Sequence, residues 1–227
     1  MLGRLFGLPP IVYFILAPIF AALGIAGMVY ENGRDAERTA ALSHAAPDPV
    51  ELQDVTSGDT GNDFNEIVIA GQADVDNMIE LTSSRRGRTR SRELFIALYP
   101  TDAEELSGPV AAVLEIDGVV SDEQLDAMYV GDGPAGPVLL ADGVLSAGAN
   151  SDVKKAFEGR KTVADTVYTI RPFMEGREEG LKPTGMGAVI LMIGLVLAAA
   201  LGGYGYFRKR RQDAETARNE AEYAEIS

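Results

Sequence analysis

The chain has 227 residues, of which 34 are acidic and 20 basic, and its net charge of −14 argues against general nucleic-acid binding, which needs a basic footprint. It contains no Cys and a single His, His44, which excludes disulfides, thiolate metal sites, a Cys nucleophile and any multi-histidine metal site within one chain. There is no Trp, so an interfacial aromatic belt would rest on Tyr13, Tyr30, Tyr204, Tyr206 and Phe207.

In chain order, Met1 to Leu8 is a short, slightly basic leader carrying Arg4. Pro9 to Tyr30 is an apolar run of about 22 residues, enough for a helix to cross a hydrocarbon core of about 30 Å. A cleaved signal peptide ending near Gly24-Ile25-Ala26 is the rival reading, but the run exceeds an ordinary h-region of about 7–15 residues. Pro18 lies mid-span, where a bilayer helix accommodates it by a kink. Glu31 to Ala46 prolongs the helix, with Asn32-Gly33 as its point of weakness, and Pro47 to Asn65 reads as an exposed linker.

From Glu66 the pattern changes to strands and turns. Ile67 to Ile69, Met78 to Thr82, Glu93 to Tyr99 and Pro109 to Ile116 are strand candidates. Ser121 to Tyr129 is a short helix, with Ser121 as cap and Gln124 three residues on. Gly131 to Gly136 is a loop. Asp142-Gly143, between Pro137–Ala141 and Val144–Ala147, is the strongest hairpin signal in the chain. Ser151 to Glu158 is a second short helix, and Thr162 to Ile170 the last strand. About five or six strands with two small helices predict an α+β, mainly antiparallel β extramembrane domain, with a small barrel as one way of closing its sheet.

Gly185 to Phe207 carries no charged side chain and is followed at once by Arg208, Lys209, Arg210 and Arg211. Such a basic run is retained on the cytoplasmic side of a membrane. The expected plan has residues 1–8 in the cytoplasm, 9–30 as the first transmembrane helix and 31–65 as helical extension and linker. An extracytoplasmic domain (66–176), a juxtamembrane linker (177–184), a second transmembrane helix (185–207) and a cytoplasmic helical tail (208–227) complete it. This corresponds to a bacterial inner-membrane protein with a periplasmic central domain and both termini inside.

Two groups of residues stand out. Gly194, Ala198 and Gly202 recur every fourth residue, placing small side chains along one helix face where another backbone can approach, and Ala17, Ala21 and Ile25, or Ala22 and Ala26, offer a comparable face in the first span. Arg85, Arg86, Arg88, Arg90 and Arg92 form a basic cluster suited to an anionic ligand or an acidic partner, or equally a solvated hairpin paired with the domain's own acids. No catalytic, cofactor or metal site is expected: Asp54, Asp59, Asn62 and Asp63 lack a calcium-loop order, and Asp122, Glu123 and Asp126 are explained by helix-start electrostatics. The expectation is therefore a non-enzymatic two-pass protein in a lipid bilayer. Its outer domain would bind or position another membrane protein or complex, or a second copy of the chain. A ligand or envelope-stress sensor is the alternative, and a carboxylate-based hydrolase or transferase the third reading.

Overall fold

The computed structural model describes residues 8–55, 64–85, 88–148 and 151–226. In chain order these form helix α1 (Pro10–Leu42) and strands β1 (Val50–Glu51), β2 (Glu66–Ala73), β3 (Ile79–Arg85), β4 (Arg88–Tyr99) and β5 (Val110–Asp117). Then come helix α2 (Asp122–Asp126), strands β6 (Tyr129–Asp132) and β7 (Pro137–Gly148), helix α3 (Ser151–Phe157), strand β8 (Val163–Pro172), and helices α4 (Arg177–Gly180) and α5 (Met186–Ile226). The chain divides into two compact units, one of Met1–Ala36 with Pro183–Ser227 and the other of Glu37–Lys182.

In the first unit α1 and α5 are each long and apolar enough to cross a membrane, by length and composition. Only 11 % of the most apolar stretch of either helix is buried, so the apolar side chains face outward rather than filling a core. The helices run antiparallel: Tyr13 meets Tyr204 edge-on at 5.0 Å between ring centroids, and Gly24 lies against Gly194. A Cβ on Gly194 would fall 2.6 Å from the Gly24 Cα, so the two backbones touch where neither residue carries a side chain. α1 continues through Pro18 and through Asn32-Gly33 without a break. Asp35 accepts hydrogen bonds from the Thr184 and Gly185 amides, both at 2.9 Å, just before α5 begins. A carboxylate there bonds the two amides that lead into the helix and opposes the positive end of the helix dipole.

The second unit is built on a closed ring of five strands. β2 pairs with β4, β4 with β5, β5 with β8, β8 with β7, and β7 returns to β2. All these pairs are antiparallel except β5–β8. Taken in chain order, the barrel strands are joined first-second-third-fifth-fourth, the Greek-key closure of OB-type barrels. Alternate residues point inward, and Ile67, Ile69, Ile96, Leu98, Leu114, Ile116, Leu145 and Ile170 form part of the interior core. A second core lies on the outer face, where Phe95, Tyr99 and Val113 pack with Ile79 of β3 and Val153 and Phe157 of α3.

Several local expectations need correction. Asp142-Gly143 is not a turn: β7 runs unbroken from Pro137 to Gly148, and the two residues sit in its middle. Gly143 is there because the Arg171 carbonyl of β8 occupies the space a Cβ would need. The stretch 47–65 is not wholly an exposed linker, since β1 pairs in parallel with β2 and Leu52 is buried in the barrel core. The loop from Gly131 begins inside β6, and among the described residues eight strands form where five or six were expected. Ser121 and Gln124 do make a reciprocal capping box at the start of α2.

Replacing Gly143 by Ala is expected to lower the unfolding free energy by about 1–3 kcal/mol, the usual cost of overpacking. Gly108→Ala, at a position with open space, should leave it unchanged. Denaturant unfolding of the full-length protein in detergent, followed by the β-sheet circular dichroism signal, measures both.

Candidate functional site

Titratable groups gather where β2, β7, α4 and the end of α1 meet, all within the second unit. The ladder pairs Glu66 with Val144 and Val68 with Asp142, which sets Glu66 and Asp142 diagonally on the same outer face of the barrel. Glu66 is fully buried. Its carboxylate receives Arg177 in a two-pronged pair, Nε at 2.5 Å and Nη2 at 3.1 Å, and Nη2 also donates to the Ala41 carbonyl at 2.8 Å. Ala41, Phe64 and Leu181 form a small apolar core with Phe173 and Val144 beside this pair, and the Arg38 guanidinium lies 5.3 Å from the Phe64 ring centre. A planar guanidinium suits this position because its fork can hold a carboxylate and a carbonyl at once.

Asp142 takes no share of the fork, and its Oδ1 is buried without a hydrogen-bond partner. Burial, and then the neighbouring Glu66 charge, push its carboxyl up to about 6, while Arg177 pulls the other way. Glu66 and the Asp142 charge favour the protonated form of Arg177 against the cost of its burial, and its value lies above the ordinary one. The arrangement is a fixed ion pair with one proton-accepting carboxyl next to it. It can take up or release a proton in the mildly acidic range.

A second polar group lies at the other side of the barrel. Lys161 Nζ donates to the Tyr99 hydroxyl at 2.9 Å and the Leu106 carbonyl at 2.8 Å, and it forms an ion pair with Asp74. Burial by itself would lower the lysine, but Asp74 and Tyr99 outweigh it and hold its value above the ordinary one. A lysine kept protonated is a cationic tie and not a nucleophile. Nearby, fully buried Gln72 donates to the Pro100 and Ala103 carbonyls and accepts from the Ala135 and Gly136 amides, so all four of its hydrogen-bonding sites are used.

The residues singled out in the sequence fall as follows. Gly194 is buried against Gly24, Ala198 is half-buried, and Gly202 lies 3.7 Å from the Ala17 Cβ by way of its own notional Cβ, so this stripe lies in the seam between α1 and α5. Ala22, Ile25 and Ala26 are exposed. Arg92 pairs with Glu80 at 3.3 Å on the surface, across the β3–β4 ladder. Arg86 lies outside the described residues, as do the side chains of Arg85, Arg88 and Arg90. Asp59, Asn62 and Asp63 are also outside them. Arg208 donates to the Leu8 carbonyl, Arg211 lies over Phe207, and Lys209 and Arg210 are exposed. Among the described residues no group of three or more His, Asp or Glu is placed to hold a metal ion.

The sequence reading missed Glu66, Asp142, Arg177 and Gln72. Glu66 and Arg177 are 111 residues apart, and only the β2–β7 closure brings Asp142 to them. One signal was available: Glu66 heads a strand whose next five residues are apolar. A charge in that position is either exposed or paired.

The raised carboxyl of Asp142 carries a definite sign. The folded chain holds a proton that the unfolded chain releases above about 3.9, so stability falls as pH rises from about 4 to about 6 and then levels off. Asp142→Asn should flatten that slope and leave the variant more stable than wild type at pH 7, as read from unfolding curves of the full-length protein at a series of pH values. Equal slopes in the two proteins would remove Asp142 from the account. No family model and no curated protein matches this chain, so its functional reading rests on the residues described above.

Proposed function

We propose that this chain is a two-pass membrane protein whose barrel domain, held outside the cytoplasm, binds or positions a partner as an accessory or assembly subunit of a membrane complex. The observation that carries the reading is the outward-facing apolar surface of α1 and α5, which water does not solvate and lipid does. The basic run Arg208 to Arg211 supports a cytoplasmic C-terminus, and the antiparallel helix pair then brings the N-terminus to the same side. A binding role for the barrel is supported by its interior, which is filled by aliphatic side chains and leaves the outer surface for recognition.

The surface in question is acidic. Residues 37–182 contain 27 acidic and 13 basic side chains and so hold the whole net charge of −14. That composition supports a protein partner or a cationic ligand over the nucleic acids bound by basic OB-type barrels. Sensing is the second reading, favoured by Asp142, whose carboxyl at about 6 would change charge under mild acidification beside the Glu66–Arg177 pair.

Because the chain has no Cys of its own, single cysteines report its topology directly. Val119→Cys, on a side chain 77 % exposed, should react with a membrane-impermeant maleimide on intact spheroplasts. Asn219→Cys should react only after permeabilisation. The reverse pattern would overturn the orientation. For the partner, extraction of the C-terminally tagged protein in a mild detergent should yield a stoichiometric membrane-protein complex. Recovery as a lone monomer, after cross-linking in intact cells as well, would refute the accessory-subunit role.

A further inference from the structure

The end of α5 carries a groove of about 290 Å³ lined by Tyr204, Phe207, Arg208, Arg211, Gln212 and Glu215. These residues recur at steps of three and four, so they share one helix face, whereas Lys209 and Arg210 lie about 130° from the centre of that face. The four basic residues after the span are therefore not equivalent. Arg208 is fixed by its hydrogen bond to the Leu8 carbonyl just before α1. Arg211 is seated on an aromatic face, its guanidinium carbon 4.8 Å from the Phe207 ring centre, and no ion pair joins it to an acid among the described residues. Glu215, one turn further from the apolar segment, marks the water side of the groove.

We infer that this groove is a binding site for the headgroup of an anionic phospholipid, with Arg208 and Arg211 taking its phosphate and Tyr204 and Phe207 lying along the glycerol and upper acyl region. The inference rests on the membrane reading given above. If α5 spans the bilayer, the last apolar turn ends at Phe207, so the two guanidiniums stand at the depth of the phosphate layer. Aromatic rings are favoured at that depth, and guanidiniums reach up from it to the interface. A guanidinium binds a phosphate oxygen pair through parallel N–H donors, and basic pockets beside membrane helices take anionic headgroups by the same chemistry. The stacking of Arg211 on Phe207 fixes the charge in advance and reduces the ordering cost of binding.

Native mass spectrometry of the full-length protein in detergent, supplied with phosphatidylglycerol or phosphatidylcholine, tests the site. Wild type should retain phosphatidylglycerol in preference. Arg211→Gln should lower that retention by about fivefold, and Arg210→Gln, the same charge change off the groove, by less than about twofold. Phe207→Leu, which unseats Arg211 without altering charge, should also lower it. Equal losses in the two arginine variants would mean diffuse attraction to a basic helix end and would overturn the site. Equal retention of the two lipids would also overturn it. So would displacement of phosphatidylglycerol by millimolar inorganic phosphate, which would make the groove a free-anion site. Alkaline carbonate washing of membranes separates the two levels. Release of wild type would sink the membrane reading itself, whereas a retained protein with unaltered lipid binding in Arg211→Gln would sink only the headgroup site.

Discussion

The antiparallel ladder between β2 and β7, from Glu66 opposite Val144 to Gln72 opposite Val138, turns a sheet into a ring. Without it β2 and β7 would be edges, with two rows of unpaired backbone groups and an interior open to water. Each end of the ladder is fixed by a buried polar side chain whose bonding is met. At one end Glu66 receives the Arg177 fork; at the other Gln72 bridges the segments around Pro100–Ala103 and Ala135–Gly136. Such groups add little net stability over apolar substitutes, but they are costly to mispair, and so they penalise a shifted register. The aliphatic interior rewards any close packing. These two residues specify which packing.

Charge and apolarity are partitioned between the two units. Residues 1–36 and 183–227 together carry seven acidic and seven basic side chains and are neutral overall, and all the net negative charge belongs to the barrel unit. In the helical unit the charges cluster at the ends of α1 and α5, which leaves long uncharged surfaces between them. In the barrel unit most acids lie outside the core, where mutual repulsion opposes self-association. Glu66, Asp74 and Glu115 are buried, and each meets a cation, Arg177, Lys161 and Arg171 respectively. The Asp142 carboxyl differs from these three, because it is half-buried beside another acid and its Oδ1 lacks a donor.

How much of this could be read beforehand depended on whether the controlling interaction was local. The two apolar runs declare themselves because bilayer-length helices need no partner to be recognised. The Ser121–Gln124 box is equally legible, since cap and capped amide are three residues apart. Asp142-Gly143 was misleading for the complementary reason. The dipeptide fits a tight turn, but here Gly143 answers to the Arg171 backbone, 28 positions away, which no local pattern reports. Gly194 could be picked out by its spacing, while Gly24, which it touches, carries no such mark in the first span. The Glu66–Arg177–Asp142 group was out of reach for the same reason as barrel closure itself: strand order is decided by long-range pairing.

The Arg177 guanidinium has one further consequence. It grips Ala41 near the start of the barrel unit and Glu66 on its first ring strand, while itself lying close to the unit's final residue. Entry and exit of the domain are thus joined by this side chain together with the small apolar core of Ala41, Phe64 and Leu181. Within this unit, tension applied across its two ends would therefore load the Arg177 contacts to Ala41 and Glu66 as well as the strand ladders.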